Sequence, residues 1–422
     1  MRAKIILSIL FFTNAIFSQQ LWKENINNLL KEIDSSGLLM GNVSISKKGE
    51  EVYQFSMGYS NVAEKIKNAS ETKFRVGSIS KSFTAVMIMQ MIEEKKLTLQ
   101  AKLDDFLPEI PNADLITVEQ LLRHRSGLFN ITQSVDFLTW MESFHTEDEI
   151  IDLIIENGIS FRPGKKTEYS NTNYILLSII LEKIEKKTYT EILKERIIIP
   201  CKLTNTYYGG DIDSKNKEAF SYFLVNDIWT PGTMTNLSVP IGAGGIVSAP
   251  SDLNSFYSQI FDGKLLNEES LLLMLDSNKL YEYALYPVIS YADEVCFGHE
   301  GRIDGFHAFS AYFSKDQVSI SFIANGEFGY LEDIMLQVLD YYYSSKLEEI
   351  QKTYSSEALT LELVKVNDVL LLKKGQDQPF FLDKKNKLNY VSKVNDVKLK
   401  MLKGDRIKFQ SGHDKVVLNL SD

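Results

Sequence analysis

Cysteine, histidine and long apolar runs are all scarce in this 422-residue chain, and each scarcity closes off a class of protein. Cys201 and Cys296 are its only cysteines. Two residues in separate elements do not make a disulfide framework, and a bond between them stays open. The five histidines are scattered, with no Cys-x-x-Cys and no His-Glu-x-x-His, so neither a metal site nor a cofactor is expected. Basic runs are missing too: 46 Lys and Arg against 56 Asp and Glu give a formal charge of −10. Nucleic acid and anionic membrane surfaces are therefore not the expected partners. Beyond the N-terminal region no stretch reaches the roughly 18 apolar residues that a membrane helix needs, so the mature protein is expected to have no span. What remains is ordinary globular composition, 44% hydrophobic and 24% charged, which argues against disorder. The length fits one large layered domain with an appendage.

The N-terminus has a pattern of its own. Met1-Arg2-Ala3-Lys4 is a basic head, and Ile5 to Phe17 is apolar apart from Ser8, Thr13 and Asn14. Polar Ser18-Gln19-Gln20 follows. This is the layout of a secretory signal peptide, residues 1–18, and predicts a periplasmic or secreted protein. No cysteine stands near the cleavage site to carry a lipid anchor.

Periodicity divides the rest. Trp22, Ile26, Leu29, Leu30 and Ile33 predict an amphipathic helix over 22–36. Alternating segments Asn42–Lys47 and Glu51–Tyr59 flank Lys48-Gly49-Glu50 and predict a hairpin. An amphipathic helix is expected from at or near Ser78 to about Lys95. From about 100 to 240 the pattern is mainly helical and loop-rich, with capping-box signals at Thr117–Gln120 and Thr146–Glu149 and a helix over Asn173–Lys187. A further helix starts near Pro250, with Gly263 as its C-terminal stop. Strands return at Val295–His299, Phe306–Phe313 and Val318–Ala324, before a helix from Leu331 to about Tyr343. Strands at both ends with helices between predict an α+β domain, an antiparallel sheet with an all-helical insertion, over 19–345. After residue 346 the composition shifts to Lys, Val, Leu and Asp. Lys365-Val366-Asn367-Asp368-Val369 recurs as Lys393-Val394-Asn395-Asp396-Val397, so repeated hairpins in a small all-β domain, 346–422, are expected.

Ser78-Ile79-Ser80-Lys81 follows an extended approach that breaks at Gly77. Three residues apart at a helix start, Ser78 and Lys81 project from one face, and a buried lysine can take the serine proton. Ser-x-x-Lys also occurs at Ser44, Ser70 and Ser214, so spacing alone singles out nothing. Two other stretches do. Tyr169-Ser170-Asn171 comes after Pro163-Gly164, and His299-Glu300-Gly301 ends a predicted strand. A tyrosine beside an ammonium group can relay protons. Asn171 offers a donor and an acceptor to a substrate amide. His299 can orient the tyrosine or a substrate carboxylate, and Gly301 lets a substrate backbone approach. The backbone N–H groups of Ser78 and Arg302 would form an oxyanion hole.

Together with Leu121-Leu122-Arg123-His124-Arg125-Ser126-Gly127-Leu128, Gly244-Gly245-Ile246-Val247-Ser248 and Gly298 before His299, these motifs stand in a family's order. The chain resembles the serine β-lactamase and penicillin-binding-protein superfamily over roughly 22–345, most closely the branch of class C β-lactamases and D-alanyl-D-alanine carboxypeptidases. The resemblance implies an antiparallel sheet flanked by helices beside a helical subdomain, with the active site in the cleft between them. It implies acylation of Ser78, proton handling by Lys81 and Tyr169 with the base for acylation left open, and substrate positioning by Asn171 and His299. Histidine at position 299, where class C β-lactamases usually carry lysine, tilts the expectation toward peptidases, amidases and esterases. Arg125 and Arg302 replace usually small residues, and Arg302 either binds a substrate carboxylate or faces solvent. The expected function is an exported serine hydrolase acting on a small-molecule or peptide substrate, first of all a D-amino-acid peptidase or related amidase. A class C-like β-lactamase, an esterase and a non-catalytic penicillin-binding sensor are the alternatives.

Overall fold

The computed structural model describes residues 21–275, 283–291, 294–327, 331–344, 350–356, 359–366, 369–374, 380–386, 389–392, 397–402, 406–411 and 414–420. The expected signal peptide therefore lies outside the described residues. The chain forms two compact units. One is Asn27–Met335, and the other joins the residues up to Ile26 with those from Leu336 onward.

In the larger unit, strands far apart in sequence close one antiparallel sheet. We label them β1 (Leu39–Lys47), β2 (Glu50–Met57), β3 (Tyr286–Tyr291), β4 (Glu294–Ile303), β5 (Phe306–Phe313) and β6 (Val318–Glu327). Their order is β3-β4-β5-β6-β1-β2, so the first hairpin of the domain docks on its last strand. The hairpin and β5 fall where alternation put them. β4 runs four residues past its expected end, which places His299-Glu300-Gly301 inside a strand, and β3 was not expected at all.

One row of residues decides what packs on the sheet. His299 faces Ser310 across β4 and β5, Ser310 faces Ser321 on β6, and Ser321 faces Ser44 on β1. Directly opposed residues share a face. The serines are small and leave room for a helix, α4 (Pro250–Phe261), to lie close. Asn254 of α4 satisfies them: its side-chain oxygen accepts from Ser319 (2.9 Å) and Ser321 (2.8 Å), and its amide donates to Ser44 (3.0 Å). All these groups are buried, so each hydrogen bond replaces one that water would have made.

The helices α1 (21–36), α2 (Ser80–Glu93), α3 (Asn171–Glu185) and α5 (Leu331–Ser344) match the expected segments within a few residues. The expected amphipathic character of α2 is corrected. Residues Ser80–Met89 are buried on every side, because α2 packs as a central helix against α3, β4 and the turn Ile241–Ala243. Its polar side chains bond inward: Ser82 donates to the Ala284 carbonyl (2.6 Å), and Thr84 to that of Gly242 (2.8 Å).

In the insertion, Thr117 and Thr146 form the expected capping boxes, and Thr188 forms another. The insertion also carries a hairpin, Tyr222–Val225 with Ile228–Pro231, that joins the sheet beside Gly326. Its turn residues Asn226 and Asp227 both have positive φ, 51° and 61°, as a tight hairpin requires. Among the described residues no helix is long and apolar enough to cross a membrane.

The C-terminal segment forms an eight-stranded closed antiparallel barrel from Ile350 to Leu420. The two Asn-Asp repeats lie outside the described residues, but the strands they join pair as hairpins, with Val366 opposite Val369 and Ser392 opposite Val397. Alternate residues such as Leu361, Leu363, Leu372 and Leu399 fill the interior.

Asn254→Ala should lower the unfolding free energy by about 2–3 kcal/mol, because it strands buried serine hydroxyls. Urea denaturation checks this, and a loss below about 0.5 kcal/mol would show that the row does not depend on Asn254.

Candidate active site

The serine stands on a turn that only glycine permits. Strand Phe74–Arg75 delivers the chain to Gly77, whose φ of +51° turns it into the single 3-10 turn Gly77–Ile79 and then into α2. β4 presses against that turn. A Cβ added to Gly301 would stand 1.9 Å from the Val76 carbonyl oxygen and 3.0 Å from the Ser78 nitrogen, and one on Gly77 would meet the Arg302 backbone at 2.8 Å. Two glycines thus let the strand and the serine turn touch main chain to main chain. Gly301 was read as making room for substrate; the closest backbone it accommodates is that of the serine turn itself. A buried ion pair locks the same junction: Arg75 contacts Asp304 at 2.9 Å and donates to the Thr235 carbonyl at 2.6 Å, while Thr235 donates to Asp304 at 2.7 Å.

Ser78 is half-buried, and two groups reach its hydroxyl oxygen: Lys81 Nζ at 2.9 Å and the Tyr169 hydroxyl at 2.7 Å. Lys81 itself is fully buried. Its other neighbours are Asn171 Oδ1 and the Ala243 carbonyl oxygen, each 2.7 Å from Nζ. Burial pushes the Lys81 pKa well below its ordinary value. A neutral amine has two N–H groups and one lone pair. The Asn171 and Ala243 oxygens can only accept, so they take the two N–H groups and leave the lone pair toward Ser78. Asn171 is held in this orientation because its amide donates to Thr132 Oγ1 at 2.8 Å. Expected as a substrate amide partner, Asn171 has both ends of its side chain engaged inside the protein.

His124 was quoted in a motif but given no part in the site, and the structure places it directly behind Tyr169. The rings pack with centroids 4.5 Å apart and planes tilted by 30°, and His124 Nδ1 accepts the Ser170 N–H at 3.1 Å. Burial above all lowers its pKa well below the usual value, with the nearby Lys81 and His299 side chains acting in the same direction, so the ring is neutral. Asn173, two residues into α3, lies against the same ring.

His299 is buried at 2% exposure on the sheet face that carries the serine row. Burial first, then the nearby Lys81 side chain, lower its pKa to about 3. Its Nδ1 donates to the Glu300 carbonyl, and its ring meets Tyr286 edge-on at 4.7 Å. Tyr286 lies on β3, the strand that alternation had not revealed. Arg302 sends its side chain outward, 60% exposed, to Glu327 at 3.0 Å and Glu332 at 3.3 Å. The other Ser-x-x-Lys serines lead elsewhere: Ser44 belongs to the sheet row, and Ser70 bonds its neighbour Glu71. Arg125 donates to the Gly164 carbonyl, which pins the loop before Tyr169.

Comparison with known proteins identifies the family. The sequence profile of the family described as Beta-lactamase matches residues 23–338. The putatively penicillin-binding protein PbpX of Bacillus subtilis is 27% identical over 302 residues, 72% of this chain and 73% of that protein. The teichoic acid D-alanine hydrolase of Staphylococcus aureus is 28% identical over 241 residues, 56% of this chain and 59% of that protein. Among solved structures, the D-amino acid amidase of Ochrobactrum anthropi SV3 in complex with D-phenylalanine superimposes with a TM-score of 0.70 at 24% identity, covering 77% of this chain and 99% of the amidase. A serine turn, a buried lysine and a sheet of this order, matched over the whole larger unit, make the chain a serine hydrolase of the Beta-lactamase family.

Proposed function

We propose that the protein hydrolyses amides or esters of D-amino acids through an acyl-enzyme on Ser78. The observation that carries this reading is the half-buried Ser78 oxygen held between a buried amine and a tyrosine hydroxyl. The Lys81 lone pair takes the Ser78 proton as Oγ attacks the substrate carbonyl. The N–H groups of Ser78 and Arg302 receive the developing oxyanion, a contribution of about 3–4 kcal/mol per donor in related chemistry. Tyr169 donates its proton to the departing amine or alcohol and is reprotonated from Lys81. Water then attacks the ester, with the same groups working in reverse.

The substrate class rests on charge. A carboxypeptidase or a β-lactamase binds a substrate carboxylate, which calls for a cation. His299 is neutral, Lys81 is committed to Ser78, Asn171 and Ala243, and Arg302 is paired with Glu327 and Glu332. This favours removal of a D-aminoacyl group from a neutral leaving group over cleavage beside a free carboxylate. Relatives named for D-alanine and D-amino acid amide chemistry support the same choice. The basic head and apolar stretch of residues 1–17 support export, so that the substrate lies outside the cytoplasm.

Intact-protein mass spectrometry after exposure to D-alanine esters and amides should show an aminoacyl adduct on wild type and none on Ser78→Ala. Labelling of the variant at the wild-type level would sink the reading.

The pH profile follows from Lys81. Below its pKa the ammonium has no lone pair, so kcat/KM falls as pH falls through that value; burial has lowered it, which leaves the amine available well under the ordinary lysine value of about 10.4. His299, at about 3, adds no inflection between pH 5 and 8. His299→Gln should therefore change the rate while leaving the midpoint of the acid limb in place, and a midpoint that moves with this substitution would contradict the assignment.

His124 acts through Tyr169 as a positioning residue. His124→Ala should lower kcat about 10- to 100-fold per titrated active site with KM little changed. His124→Gln, which retains an acceptor for the Ser170 N–H, should recover part of the loss. A variant that only unfolds would lose sites and keep kcat.

A further inference from the structure

Behind His299, on the opposite face of the sheet, four acidic and imidazole side chains meet with no role in the chemistry above. Neighbouring residues on a strand point to opposite faces, so Glu300 and Arg302 lie away from His299. Arg302 pairs with His307 across β4 and β5, Glu327 ends β6, and Glu332 sits in the first turn of α5. One ligand atom from each of Glu300, His307 and Glu332 lies within 4.8 Å of the others.

We propose that Glu300, His307 and Glu332 form a binding site for a divalent transition-metal ion of the zinc type. Three observations carry it beyond a cluster of acids. His307 is buried at 2% exposure, and its Nδ1 lies 2.8 Å from Glu327 Oε1, an oxygen that can only accept. That contact makes Nδ1 the donor and fixes the ring so that Nε2 points at Glu332, the arrangement by which a carboxylate aims a histidine at a metal. Nε2 has no hydrogen-bond partner among the described residues, and its closest ionic neighbour is Glu332 at 3.7 Å. Glu327 Oε2 is likewise buried without a partner. An orphaned donor or acceptor of this kind costs about 1–3 kcal/mol unless a ligand satisfies it.

Charge and chemistry fit the same ion. Glu327 and Glu332 share the one guanidinium of Arg302, and Glu300 adds a third carboxylate beside His307, so carboxylates outnumber the guanidinium around the imidazole. One nitrogen with carboxylate oxygens suits zinc-like ions better than magnesium or calcium. Bonds of about 2.0–2.2 Å require ligand atoms roughly 3–3.5 Å apart, so Glu332 and Glu300 must close by about an ångström, with water as the remaining ligand. Glu332 is 46% exposed and Arg302 60% exposed, so both have room to move. The sequence showed no metal motif because these ligands come from two strands and a helix. Bound there, the ion ties the first turn of α5 to the strand whose next residues are Gly301 and Arg302. The site is independent of the proposed substrate.

The test is zinc alone, added to the full chelator-treated protein and followed by calorimetry and thermal unfolding. One ion should bind per chain and raise the melting temperature. Glu332→Gln, on the surface and compatible with folding, should weaken binding at least tenfold and remove the thermal shift, and His307→Gln should do the same wherever circular dichroism shows it folded. Absence of binding to wild type, or binding that Glu332→Gln and Glu300→Gln leave unchanged, would overturn the proposal and leave the cluster an ion-pair network.

Discussion

A primary amine sealed from water must give up its charge or be met on all sides by hydrogen-bond acceptors, and the larger unit is organised around that demand at Lys81. The amine sits on the part of α2, Ser80–Met89, that is buried on every side, which is why this stretch carries serines and a threonine that bond inward. Asn171 and Ala243 reach it from a helix start and a glycine-rich turn, elements that sequence separates by 72 residues. Together they consume the two N–H groups of a neutral amine and direct its lone pair at Ser78. Burial is expensive for the charged lysine, and it shifts the amine toward the neutral form that the proposed role as base requires.

The second constraint is contact between backbones. The strand that carries His299 lies directly on the serine turn because Gly77 and Gly301 have no Cβ, and the buried Arg75–Asp304 pair holds the segments that lead into and out of that contact. The row His299, Ser310, Ser321, Ser44 then fixes where the strand stands relative to α4. Sheet register, a helix-packing asparagine and the position of His299 are thus one arrangement.

What the sequence made legible depended on the range of the physics. Local signals worked: alternation located β1, β2 and β5, capping residues opened the helices at Thr117 and Thr146, and the Val-Asn-Asp-Val repeats flank paired strands of the barrel. The motif stretches around Ser78, Tyr169 and His299 identified the family. Tertiary effects were out of reach. The run through Met87, Met89, Met91 and Ile92 gave α2 an amphipathic look, although Ser80–Met89 are covered on every side. β3 lacks a clean alternating pattern, so Tyr286 went unseen. His124 was visible as part of a motif, yet only the structure shows its ring packed against Tyr169. One signal was available and unused: Val225-Asn226-Asp227-Ile228 is a hairpin turn in plain sequence.

The account stands on the protonation state of one amine. Carbon-13 NMR of lysine-labelled protein, titrated in the resting state with Lys81→Arg as the assignment control, reads it directly. The account predicts one lysine whose resonance titrates well below the ordinary value of about 10.4 and disappears in the variant. A Lys81 resonance that titrates with the surface lysines would show an ammonium beside Ser78 at neutral pH, and would contradict its role as the base.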